Sequence, residues 1–221
     1  MAITKEVEQG QAVYSKSVLW LYDLWVLGLS NRFIWQCPTP SILKHFDKYI
    51  TSNHLDVGVG TGYFLDRCHF PTSDVRLGLM DLNQNSLDVS AARAARYNPL
   101  QFRCNVLDEI NIAADKFDSI SLNYLLHCLP GKLPEKLSAV EHVSTLLSES
   151  GVVFGSTILS KGIHRNAAAK KLMAIYNKKG IFSNMEDSKD DLEAYLASGF
   201  NEYQIEVKGC VALFSAKGKR Q

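Results

Sequence analysis

The chain has 221 residues, 24 Lys and Arg against 23 Asp and Glu, and a formal net charge of +1. That length suits one domain with a substantial core, and near-cancelling charge supplies no overall field for nucleic acid or an anionic membrane. The five cysteines (Cys37, Cys68, Cys104, Cys128, Cys210) are scattered with no C-x-x-C pair, which argues against a disulfide framework or structural zinc and for a reducing, cytoplasmic setting.

Basic residues gather in "KGIHRNAAAKK" and in the C-terminal "KGKR", read as a solvated helix face and a frayed tail. The most apolar segment, "VLWLYDLWVLGL", carries Asp23 and is too short to span a bilayer. It does not follow a basic opening region, so a cleaved secretory signal is not expected. No membrane association is expected.

In chain order, Tyr14, Val18, Leu21, Trp25 and Leu29 fall at helical spacing. After a turn at "CPTP", Pro40 suits a first helical position, and a second helix runs to about Ile50. Strands and helices then alternate. "HLDVG" reads as a strand leading through glycines into a helix at "TGYFLDRC", and "VRLGLMD" as a second strand. "NQNSLDVSAARAARY" is an alanine-rich helix capped by Asn83, followed by strands at "LQFRCN" and "FDSISLNYLL". "LPEKLSAVEHVSTLL" is one helix and "GVVFGSTIL" a buried strand.

This alternation predicts an α/β fold: a doubly wound, mostly parallel sheet with helices on both faces. The tail departs from it. "EYQIEVKGCVALFSA" holds two strands about a hairpin-sized turn, so the last of seven strands pairs antiparallel with its predecessor. The expected organisation is a single domain over residues 1–221. Residues 1–50 form a helical N-terminal lid, and residues 51–221 a core with an insertion at residues 161–187 carrying its own helix.

Gly58, Gly60 and Gly62 stand at alternate positions after the first strand. Such a loop lets backbone come close to a bound nucleotide or nucleoside beyond the strand ends. The spacing is D-x-G-x-G-x-G rather than the dinucleotide G-x-G-x-x-G. Asp56 at the strand end suits a cationic ligand better than a pyrophosphate. Asp81 ends the second strand, where an acid accepts hydrogen bonds from ribose hydroxyls.

With these motifs the sequence resembles the class I S-adenosylmethionine-dependent methyltransferases, from Ser52 to about Ala216. The resemblance implies a Rossmann-like seven-stranded sheet and S-adenosylmethionine as cofactor, with S-adenosylhomocysteine as product. "LDVGVGTG" places Asp56 and the glycines beside the methionine half, and "LMDLN" places Asp81 on the ribose and Leu82 against the adenine. "CNVLD" has Asn105 where the family often has an acid, with Val106 beside it. Tyr14 and Asn123 complete the expected cofactor contacts. The N-terminal segment resembles that of small natural-product methyltransferases.

Methyl transfer needs alignment, water exclusion and sometimes a base. His127, just past the fourth strand, is the expected base; its alternative is a structural histidine. Tyr22, Trp25, Tyr124, His164 and Tyr176 are candidates for an acceptor pocket, with Trp20 and Trp35 sharing the lid. No metal site is expected, since no carboxylate cluster follows the fourth strand, and Cys128 reads as a buried thiol. The expected activity is metal-independent transfer to oxygen or nitrogen of a small, partly apolar acceptor. The alternatives are an RNA or protein methyltransferase, and a non-catalytic cofactor-binding protein of the same fold.

Overall fold

The computed structural model describes residues 23–220, with side chains from Leu27 onward. Its strands are β1 (Asn53–Val57), β2 (Arg76–Asp81), β3 (Leu100–Arg103), β4 (Phe117–Asn123), β5 (Leu147–Ile158), β6 (Phe200–Lys208) and β7 (Val211–Lys219). They form one seven-stranded sheet in the order β3-β2-β1-β4-β5-β7-β6. The pairs among β1 to β5 are parallel, and β7 runs antiparallel to both β5 and β6. The antiparallel hairpin expected at the C-terminus is therefore present.

Burial follows position in the sheet. Central β1 and β4 are almost continuously buried, as strands covered on both faces must be. Edge strand β6 alternates between exposed and half-buried residues after Phe200.

Helix α1 (Thr39–Tyr49) begins with Pro40 in its first turn and lays Ile42 and Phe46 onto the sheet, Phe46 meeting Phe154 edge-on at 5.4 Å. Residues 39–50 are thus a covering layer of the core, and the lid expected over residues 1–50 is cut back at its C-terminal end. The reason is apolar spacing: Ile42, Phe46 and Ile50 make one buried stripe.

The remaining helices are α2 (Tyr63–Arg67), α3 (Gln84–Arg93), α4 (Leu133–Lys136), α5 (Ser138–Ser144), α6 (Ala167–Lys178) and α7 (Lys189–Gly199). Asn83 caps α3 through the Asn85 N–H, as its sequence suggests. The single helix expected over residues 133–147 divides at Leu137, and β5 already begins at Leu147. Helix α7 was not anticipated. It buries only Leu192 and Leu196 and carries weak periodicity, although Ser188 caps it by accepting from the Asp191 N–H.

Residues 23–34 form a π-helical segment rather than the regular helix expected. Beyond it, Trp35 is almost fully buried and faces Phe182, with ring centroids 6.0 Å apart. The tip of the β6–β7 hairpin docks here: the Cys210 N–H donates to the Trp35 carbonyl at 2.7 Å. A side chain at Gly209 would stand 2.3 Å from that carbonyl. Trp35 is therefore core rather than lid.

Candidate cofactor and acceptor site

The chain order reverses between β1 and β4, where an open α/β sheet places its ligand crevice beyond the strand ends. A cavity lies there, enclosing about 1160 Å³ of non-protein space including its open mouth. Asp56, the loop after β1, Asp81 and the chain following it line one side, and the chain after β4 lines the other.

The loop explains its glycines. Gly58 is tied to β2 by its N–H to the Met80 carbonyl at 2.8 Å. Gly60 has φ +52°, and a Cβ placed on it would meet nothing within 4 Å. That is cradle geometry: the backbone leaves room that a ligand can use. Gly62 has φ +70° and sits against the Ser90 backbone of α3, so a Cβ would approach to 3.0 Å. One glycine serves the ligand side and the other serves packing.

Asp56 is buried, with burial first and the Asp81 charge after it pushing its carboxyl up to about 7, while the Ser121 hydroxyl donates to it and holds it down. Asp81 lies half-buried at the end of β2. Burial raises its pKa to about 6 against the pull of the backbone N–H groups of Asn83, Gly60, Leu82 and Val59. The Asn83 N–H bond is 2.8 Å long. Two acids that resist ionising beside each other create a place for a cation and for hydroxyl donors.

Leu82, Asn105 and Val106 line the same side, with Ser86 and Cys104. The side-chain amide of Asn105 donates to Asp108 at 3.0 Å, and its oxygen accepts from the Leu107 N–H at 3.2 Å. Asn105 is thus bonded within its own turn, and its place on the cavity wall is fixed by that turn.

Asn123 ends β4 and faces the cavity. Its side-chain oxygen accepts from the Ser156 hydroxyl at 2.9 Å, and its buried Nδ2 has no hydrogen-bond partner among the described residues. A buried donor without a partner costs roughly 1–3 kcal/mol, so one on a residue that lines a cavity is a candidate contact for a ligand acceptor. The cradle at Gly60, the acid pair and this donor fit a nucleoside linked to an amino acid.

Tyr124 lines the cavity in a left-handed conformation, φ 57°, and its hydroxyl donates to the Asn31 side-chain oxygen at 2.8 Å. Asn31 in turn donates to Thr39 at 2.9 Å. The wall continues through Leu125, Cys128, Leu129 and Pro130, and Leu27, Tyr63 and Phe64 complete the lining, clustered with Tyr124 and Cys128. Apart from Tyr124 and Cys128, sequence reading did not single these residues out, because they come from segments far apart in the chain.

His127 does not reach the cavity. Its ring is buried between Tyr124 and Phe182, the latter at a centroid distance of 4.5 Å. Its Nδ1 accepts from the Ile158 N–H at 3.3 Å, and burial, aided by the Lys136 charge, lowers its pKa to about 3. This is the structural alternative to the expected base, imposed by the turn at Leu126–Cys128 that points the ring away from the wall.

His164 is exposed and Tyr176 packs on Phe182 at 4.9 Å; neither lines the cavity. Met173 and Phe182 of the insertion pack in one cluster with Trp35, Leu27 and Tyr124, so the insertion backs the cavity wall without lining it. Its far end is fastened by a fully buried ion pair, Lys136 Nζ to Asp187 at 2.8 Å. Tyr14 and Tyr22 lie outside the described residues, as does the side chain of Trp25. Among the described residues, no three or more His, Cys, Asp or Glu gather as metal ligands, and no helix is long and apolar enough to cross a membrane.

Fold and site together define a Rossmann-like methyl-transfer scaffold. A methyltransferase-domain family model matches residues 55–153. The chain is 40% identical over 214 residues to demethylluteothin O-methyltransferase of Streptomyces thioluteus, covering 97% of this chain and 93% of that protein. It is 40% identical over 211 residues to the physcion biosynthesis cluster O-methyltransferase of Aspergillus chevalieri, covering 95% of each. Among solved structures, the N-methyltransferase NodS of Bradyrhizobium japonicum WM9, in complex with S-adenosyl-L-homocysteine, superposes with a TM-score of 0.65. That match has 12% identity and covers 99% of this chain and 100% of that one. The chain belongs to the S-adenosylmethionine-dependent methyltransferases.

Proposed function

We propose that this enzyme methylates a hydroxyl oxygen of a small, largely apolar acceptor without a metal ion. The observation that carries the reading is the division of the cavity. Its carboxylates, Asp56 and Asp81, stand on the side of β1 and β2, while the wall after β4 is dominated by Tyr124, Leu125, Leu129 and Pro130. The relatives named as O-methyltransferases support oxygen over nitrogen.

The bound cofactor supplies an electrophilic methyl group on a sulfonium. Asp56 and Asp81 would hold its methionine and ribose parts, with the Gly60 backbone leaving room and Asn123 donating. The apolar wall would orient a flat acceptor and keep water from the reacting oxygen. The proton would leave from the acceptor itself, whose acidity matters because His127 stands outside the wall. Residues 27–34 are read as a cover, joined to the wall through Asn31 and Tyr124 and reaching the cavity through Leu27.

The test is incubation of the enzyme with methyl-labelled cofactor and matched panels of phenols, alcohols and amines, followed by mass spectrometry. The reading expects methyl ethers from the phenols. Labelled amines alone would overturn the oxygen assignment, and activity confined to RNA or protein would overturn the acceptor class.

A further inference from the structure

Below the cavity, β1 and β4 carry a ladder of polar side chains on one face. His54 pairs in register with Ser119, and Asp56 with Ser121. His54 Nδ1 lies 2.8 Å from the Ser119 hydroxyl and Nε2 lies 3.1 Å from the Ser121 hydroxyl, which itself bonds to Asp56. Ser119 also accepts from the Thr51 N–H at 3.0 Å. His54, Ser119 and Ser121 are wholly buried. The imidazole is walled by Phe46, Phe70 and Phe154, with centroids 5.5–6.5 Å away.

Counting hydrogens gives this string a direction. An ionised Asp56 can only accept, so the single Ser121 proton must point at it. Ser121 then accepts, so His54 must carry its proton on Nε2. Nδ1 is left as an acceptor, and only Ser119 can donate to it. The Ser119 proton turns to the imidazole rather than to the Thr51 hydroxyl 2.9 Å away, which donates to the Asn53 carbonyl. Each donor therefore points toward Asp56, from the Thr51 N–H upward. Hydrogen bonds aligned head to tail polarise one another and favour negative charge at their end. Among the described residues, Asp56 forms no ion pair with a Lys or Arg, so this chain does what a cation would otherwise do.

We infer that Ser121 and His54 are positioning residues: their directed hydrogen-bond chain holds Asp56 as an anion aimed at the cationic amino group of the cofactor's methionine part. The inference rests on the cofactor reading above and extends it to residues no motif contains. The chain opposes the burial and the Asp81 repulsion that raise the Asp56 carboxyl. The other titratable groups facing the pair are Asp81 at the end of β2, Cys68 after α2, and His54, which burial keeps neutral. Protonating Asp56 would reverse the string and move the His54 proton to Nδ1, so the tautomer reports the state.

The experiment measures binding of S-adenosylhomocysteine and of 5′-methylthioadenosine, which lacks the amino acid part, from pH 6 to pH 9. Ser121→Ala should weaken S-adenosylhomocysteine about tenfold at pH 7 and leave 5′-methylthioadenosine unchanged, because one hydrogen bond to the anion is lost. Its affinity should recover roughly one pH unit above the wild type, since loss of that bond raises the Asp56 pKa further. Ser121→Thr, which keeps the hydroxyl, should restore both. His54→Phe, filling the aromatic cage, should shift binding in the same direction by about threefold. In the free protein, nitrogen NMR should show the Nε2–H tautomer of His54 at pH 9.

Wild-type binding matched by Ser121→Ala at every pH would overturn the chain while leaving the cofactor reading intact. An Nδ1–H tautomer at pH 9 would overturn it as well. A folded wild-type protein that binds neither ligand would overturn both.

Discussion

The two sides of the cavity are built differently. The cofactor side comes from three consecutive strand ends, with Asp56, Gly60, Asp81 and Val106 all within residues 56–106 and held by backbone geometry. The side proposed for the acceptor joins Leu27, Tyr63, Tyr124, Leu125 and residues 128–130, with Asn31 bonded behind it to Tyr124. The first kind of site is rigid because sheet register fixes it. The second depends on packing between segments that share no strand, so it can change shape without disturbing the sheet. Specificity for different acceptors can vary on one side while the cofactor stays the same.

Substitutions on the two sides should therefore read out differently. The largest effect is expected at Gly60. Gly60→Val places a branched side chain at φ +52° in cradle space and should weaken S-adenosylhomocysteine at least about a hundredfold. Circular dichroism should remain native, because a Cβ at this position meets no described atom within 4 Å and the strain is confined to one loop residue. Persistent binding in calorimetry would show that the ligand does not approach this backbone.

Asp81→Ala comes next. Losing hydrogen bonds to the ribose, each roughly 1.5–3 kcal/mol when charge-assisted, should cost at least tenfold in cofactor affinity. Unchanged titration calorimetry in the folded variant would remove Asp81 from the cofactor side.

Across the cavity, Asn31→Ala should leave cofactor affinity within about twofold. It should raise the acceptor KM about three- to tenfold, because the Tyr124 hydroxyl loses its acceptor. An equal loss of cofactor affinity would mean that the two sides do not act separately.

The smallest effect on turnover is expected at His127. His127→Phe should reduce kcat less than tenfold while costing about 1–3 kcal/mol of stability, since the Ile158 N–H loses its partner. A loss of turnover of 10²–10⁴ would restore it as a base. Its acid dependence has a definite sign. The folded pKa of about 3 lies below the ordinary 6.5, so its share of stability is present above pH 6.5 and lost as pH falls toward 3. Thermal melts of His127→Phe should fall less steeply over that range than those of the wild type.

Sequence alone determined the sheet's parallel run, its antiparallel end, the glycine loop and both cavity acids. These depend on local signals: period, turn residues, and spacing along adjacent strands. The acidic position and the glycines must sit near one another because a short strand and loop leave no alternative. Tertiary structure decided what spacing could not carry. It turned His127 behind the wall and buried Trp35 under Phe182. It also packed Tyr176 of the insertion on Phe182 and left His164 exposed. It brought Asn31 to Tyr124 across 93 residues, and set His54 and Ser121 in one string beneath Asp56. Which way a side chain faces at a loop, and which distant strand stands opposite, are settled only when packing closes the core, because no local rule fixes either.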